Sequence, residues 1–160
     1  MSVDYIVASL PALQFDAPAP ISWEKFIAAA PDADDIVAKS GWSDLETQLR
    51  NAMAAARNGA KYMRRADGCS LYWKNRITAC FTEKDVAKRQ DLIDRVWWDA
   101  AGELTPPESP LGKGALATYA VRLQIAERRA RISPEAGDAA FDSLTAATKP
   151  QVAASSGLTE

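Results

Sequence analysis

Apolar positions recur along most of the chain every three to four residues, the period of helices that each bury one face. The apolar opening from Tyr5 to Leu10 is compatible with helix or strand. The stretch Asp16-Ala17-Pro18-Ala19-Pro20 must be extended, because each proline disfavours the α region in the residue before it. Ser22 is placed to cap a short helix through Trp23, Phe26 and Ile27 that ends near Pro31. A second short helix carries Ile36 and Val37 and stops at Gly41.

Ser43 and Glu46 have the S-x-x-E spacing of a capping box, which predicts a long helix. Its apolar face holds Leu45, Leu49, Ala52, Met53, Ala56, Ala60 and Met63, with Asn58-Gly59 as a place to fray or kink. Ala66-Asp67-Gly68 reads as a loop, and Leu71 to Phe81 fits no single period. Thr82 and Asp85 form another capping box, for a helix with Val86, Ile93, Val96, Trp97 and Ala100 inward and Gly102 at its end. The prolines between Thr105 and Pro110 make a loop.

From Lys113 to Ile132 the pattern is two-sided. Leu116, Ala120, Leu123 and Ala130 define one apolar side, and Val121, Ile125 and Ile132 define a second roughly opposite, as in a helix at the middle of a bundle. Ser133-Pro134-Glu135 starts a last helix through Ala140, Phe141 and Leu144. The expected fold is mostly all-α: one helical domain over residues 1–147, a bundle of about five to seven helices with a short extended N-terminal segment. A disordered tail is expected over residues 148–160.

Composition adds exclusions. The chain has 160 residues, 48% hydrophobic and 25% charged, enough for a core without disulfides or a structural metal. With no histidine, there is no imidazole base, ligand or nucleophile partner. Cys69 and Cys80 are too few for a zinc site or a disulfide framework and read as ordinary buried thiols, so no metal and no cofactor is expected. MSVDYIVASLPALQFD lacks a basic leader and is broken by Pro11; neither signal peptide nor membrane span is expected, and the chain is placed in the cytoplasm.

The net charge of −2 conceals strong segregation. Residues 1–47 carry −6, 48–90 carry +7, 91–110 carry −4, 111–132 carry +4 and 133–160 carry −3. Opposite blocks suit antiparallel helices that pack together, with a binding surface as the alternative. Gly112-Lys113-Gly114 lacks the upstream glycine and following hydroxyl residue of a phosphate loop and reads as the start of a helix. Asp34-Asp35 reads as a solvated helix start rather than a catalytic pair.

Three blocks carry a family resemblance. Tyr5 to Leu13 with Phe15-Asp16 and Ser22 to Phe26, then Leu49-Arg50-Asn51, then Tyr119 to Arg128 with Glu135 to Gly137, resemble in order the elements of a bacterial family associated with V-type ATPase operons. Arg122 stands where that family has lysine, and Cys69 to Phe81 has no counterpart. The helical character is similar to that of the ATPase's helical socket, which couples the soluble central stalk to the membrane rotor ring. The resemblance implies a noncatalytic accessory or central-stalk-like component that binds other ATPase subunits, with only indirect membrane association and neither nucleic acid nor a small-molecule substrate as partner.

Three features are candidate sites. Arg50, Arg57, Lys61 and Arg64 form a basic stripe on the long helix, either solvated, paired with the acidic N-terminal block, or a dock for an acidic subunit. Trp98 lies about 100° from Trp97, outside the apolar arc, either an interface anchor or a cover for a loop. Glu127 falls on an apolar face, where an ion pair with Arg122 or Arg128 is expected. Two other functions remain open: a helical nucleic-acid-binding module using residues 48–90, and a small enzyme centred on Glu127.

Overall fold

Ser2, Ser22, Ser70 and Asp85 each accept a backbone N–H in the first turn of the helix that follows, and so fix four of the seven α-helix starts among the described residues. The computed structural model describes residues 1–132 and Leu144. Among these, α1 spans Val3–Ser9, α2 Trp23–Ala29, α3 Ala33–Ala38, α4 Trp42–Ala56, α5 Leu71–Cys80, α6 Val86–Ala101 and α7 Lys113–Arg131. Short 3-10 turns cover Ala60–Tyr62 and Gly102–Leu104. The architecture is an all-α single-domain bundle with no strand among the described residues. The helix expected from Ser133 and the tail expected over 148–160 lie outside the described residues, apart from Leu144.

α7 runs through the middle, as its two-sided pattern requires. Leu116, Ala120 and Leu123 join Phe26, Ala30 and Ala33 in one cluster, over which α1 lays Val3, Ile6 and Val7. Val121, Ile125 and Ala126 face the other cluster, built from Trp42, Leu45 and Leu49 of α4, Trp73 and Ile77 of α5, and Ile93, Val96 and Trp97 of α6. The pattern fails only at the C-terminal end, where Ala130 and Ile132 are exposed beyond the last packed turn. At its other end, a Cβ on Gly114 would drive into the Leu104 carbonyl oxygen, so only glycine lets α7 start against that turn. The Thr118 hydroxyl donates to Ala101 O at 2.9 Å, tying α7 to the end of α6.

Several boundaries differ from the expectation. The opening run is helix, and the stretch between α1 and α2, expected to be extended from Asp16, turns at Phe15 and Asp16, where Ala17 N donates to Gln14 O at 3.4 Å. α4 starts at Trp42 after Gly41, whose φ of 87° makes the turn from α3. Burying Trp42 against Trp97, ring centroids 5.9 Å apart, places Ser43 inside the first turn, so the Ser43/Glu46 box does not form. α4 also stops at Ala56, because Asn58 turns left-handed (φ 59°) and the Gly59 N–H closes on Ala54 O at 2.7 Å. Ala60 and Met63 therefore leave the apolar face and are exposed. At α6 the cap is Asp85 itself, while the Thr82 hydroxyl donates to Ala79 O; Val86, expected inward, is the first helical residue and 73% exposed.

Candidate functional site

Three polar side chains on one face of α4 hold the chain that follows it. Asp44 accepts the N–H groups of Asp67 at 2.6 Å and Gly68 at 3.0 Å, Gln48 Oε1 accepts that of Ser70 at 2.9 Å, and Asn51 closes a pair of bonds with Arg64. In that pair Asn51 Nδ2 donates to Arg64 O at 2.6 Å and Arg64 N donates to Asn51 Oδ1 at 2.8 Å. Spacings of four and three residues put these acceptors on successive turns, so residues 64–70 are strapped back along the helix. Gln48 Nε2 also donates to Asp44 Oδ2 at 2.9 Å. That bond, with the Asp67 amide, holds the Asp44 carboxyl below its ordinary value.

The strap changes the meaning of the basic stripe. Arg50, Arg57, Lys61 and Arg64 cannot form a helical stripe, because only Arg50 lies within α4; Arg57 caps it and Lys61 sits in the 3-10 turn. The reversal at Asn58 and the Asn51 bonds nevertheless return Arg64 to the side of α4. Arg50, Arg57 and Arg64 thus line one groove of about 570 Å³ with Tyr62, Met53 and Glu46. Lys61 stays outside it, its Nζ 5.0 Å from the centroid of the 71% exposed Tyr62 ring. Arg57 stacks 5.3 Å from the Phe81 centroid, on a ring that Arg89 also contacts.

Arg50 is partly neutralised by Glu46, Nη2 to Oε1 2.8 Å. Among the described residues no carboxylate pairs with Arg57, Lys61 or Arg64. The acidic N-terminal block therefore does not supply their counter-ions, and the groove keeps a positive field.

A second cleft, about 640 Å³, adjoins the first across Glu46 and Arg50, which line both. Its walls are Trp23, Trp42, Trp97, Val121 and Ile125, with Arg128, Arg131, Gln124, Glu127 and Ile132 completing the lining. Arg50 and Arg128 lie 5.3 and 5.9 Å from the Trp97 centroid. The Trp97 Nε1–H is buried without a hydrogen-bond partner among the described residues. In the sequence Trp97 reads as core and Trp23 as a short-helix residue, while Trp42 carries no signal of its own; their convergence depends on how α2, α4 and α6 meet α7.

Trp98 is not exposed. It is 5% accessible, covered edge-on by Phe15 at 5.6 Å and by the Arg122 guanidinium at 5.2 Å. Phe15 belongs to the segment between α1 and α2 and is gripped by Arg95 and Arg129, 5.1 and 3.9 Å from its centroid. Trp98 thus covers a loop within the fold and presents almost no surface to a partner.

The expected Glu127 ion pair is also absent among the described residues. Glu127 Oε1 instead accepts Trp23 N at 2.8 Å, a carboxylate at the positive end of α2. Arg122 donates through Nε to Trp98 O at 3.0 Å, and burial pulls its guanidinium below its ordinary value, with Asp99 opposing. Arg128 bonds Asp94 at 2.7 Å, and Arg129 reaches Asp94 at 3.4 Å and Asp91 at 3.1 Å. Asp94, 1% exposed and bonded also by Gln90, is a buried acid on the side of α6 that the sequence pattern marks as polar, the same side as Trp98.

Cys80 is buried, its thiol pushed up by desolvation, whereas Cys69 is exposed on the strap rather than buried as expected. Among the described residues no group of three acidic or cysteine side chains is placed to hold a metal, and no helix is long and apolar enough to cross a membrane. Compared with protein-family models, curated proteins and solved structures, the chain matches none.

Proposed function

We propose that this chain is a noncatalytic docking component of a bacterial V-type ATPase, holding an acidic surface of a stalk or rotor subunit against the α4 groove. The observation that carries the docking is the pair Arg57 and Arg64, turned into one groove with no carboxylate partner among the described residues. The ATPase as source of the partner rests on the resemblance of the N-terminal, Leu49-Arg50-Asn51 and Tyr119 to Arg128 blocks. Guanidinium groups take carboxylates in two parallel hydrogen bonds, and Phe81 and the strap already restrict Arg57 and the backbone of Arg64. Less freedom is then lost on binding. The charge orients the encounter and speeds it, while apolar contacts set how long it lasts.

A noncatalytic role is supported by the use already made of the cleft carboxylates: Glu127 caps α2 and Glu46 holds Arg50. The test is light scattering on size-exclusion fractions of the chain alone and mixed with purified stalk and rotor subunits from the same organism. Co-elution at a defined mass is expected; separate elution under all mixtures contradicts the proposal. The exposed Tyr62 beside three arginines favours a second reading, a nucleic-acid groove. Tight, steeply salt-dependent binding of generic duplex or single strands would select it.

A further inference from the structure

We infer that the partner segment is bipartite: carboxylates seated in the α4 groove and, directly beside them, one aromatic or large aliphatic side chain seated in the tryptophan cleft. This rests on the docking reading above and adds the chemistry that the second cleft selects.

Glu46 and Arg50 line both cavities, so a segment leaving one has only this ion pair to cross before it enters the other. The two differ in character. The first presents Arg57 and Arg64 to acidic groups, whereas the second is walled by tryptophan and aliphatic side chains and has room for a large one. Ile132, 59% exposed, stands at its edge as apolar surface still in water. Arg128 keeps a positive charge beside the cleft, although Asp94 holds one of its nitrogens. An occupant that is acidic on its flanks and apolar at its centre therefore meets complementary surface at both ends. A purely acidic segment would leave the tryptophan cleft unfilled, and a purely apolar one would leave the arginines unpaired.

The experiment uses fluorescence anisotropy with the full chain and two labelled peptides: a short aspartate-rich peptide with one central phenylalanine, and the same peptide with alanine there. The phenylalanine peptide is expected to bind about tenfold tighter, the return for burying one large side chain. Gln124→Trp, at an exposed position lining the cleft, fills it from the protein side; it is expected to abolish that advantage, so that the two peptides bind the variant equally. Equal affinities on the native chain would overturn the inference and leave the docking reading standing. A phenylalanine advantage that survives Gln124→Trp would overturn it too, since the anchor would then lie elsewhere. Absence of binding by both peptides would overturn the docking reading and the inference with it.

Discussion

The Glu127 carboxylate accepts the backbone N–H of Trp23 at 2.8 Å, joining α7 to the first turn of α2 across 104 residues of chain. Together with the Ser22 hydroxyl, which accepts Lys25 N at 3.2 Å, it satisfies two donors at the start of α2. Glu127→Ala should lower stability by about 1 to 2 kcal/mol, the usual cost of a lost cap, and Glu127→Gln should recover part of it by keeping an acceptor oxygen. Urea denaturation of the three proteins checks this. An alanine variant as stable as the native chain would show that the contact contributes nothing.

Trp98 contributes to the fold rather than to an interface. Trp98→Ala should cost about 3 to 5 kcal/mol in thermal or chemical unfolding, as expected for emptying a buried aromatic site. Phe15→Ala should release the segment between α1 and α2 from Arg95 and Arg129 and raise its hydrogen exchange while α4 stays protected. Full stability of the Trp98 variant would contradict its burial.

The strap should loosen in acid. Hydrogen bonds from Gln48 and the Asp67 amide hold the Asp44 carboxyl below its ordinary value of 3.8, so the ionised form binds the strap and the unfolded chain takes up protons first. The contribution is therefore complete above the ordinary carboxylate range and disappears as pH falls through the lowered value. Amide exchange at Asp67 and Gly68, followed from neutral pH downwards, should show protection lost in that window; in Asp44→Asn it should be weak throughout. A pH-independent native strap would contradict the assignment.

Gly114→Ala should destabilise the protein by about 1 to 3 kcal/mol, since the added methyl meets the Leu104 carbonyl oxygen and α7 or the Gly102–Leu104 turn has to move. The melting temperatures of the two proteins measure this. An unchanged melt would mean that the contact relaxes freely.

Helix α7 is the most legible part of the sequence, because a helix packed on two sides writes two apolar stripes and nothing local competes with them. Ser22 is equally plain, since its cap needs only residues three apart. Ser43 and Glu46 mislead because a capping box is a local signal, and burial of Trp42 against Trp97 overrides it. Arg57 and Arg64 stand out as basic residues, but their arrangement depends on Asn51 pairing with a backbone 13 residues away. Asp44, Gln48 and Asn51 do share a helical face in the sequence, a signal from which the strap can be read. Trp98 falls on the wrong side because the wheel of α6 shows only its own helix; Phe15 comes from a different part of the chain. The cleft of Trp23, Trp42 and Trp97 is tertiary altogether, and no spacing in the sequence encodes it.

The most direct measurement of the central claim is the rate at which the chain associates with immobilised stalk subunits, for the native protein and for Arg57→Gln/Arg64→Gln, at low and high salt. The double variant removes two side-chain charges but keeps the Arg64 backbone bonds that hold the strap. The native chain should associate fast and slow down as salt rises, and the variant, melting like the native protein, should associate slowly with little dependence on salt. Equal rates for the two proteins at low salt would contradict the claim.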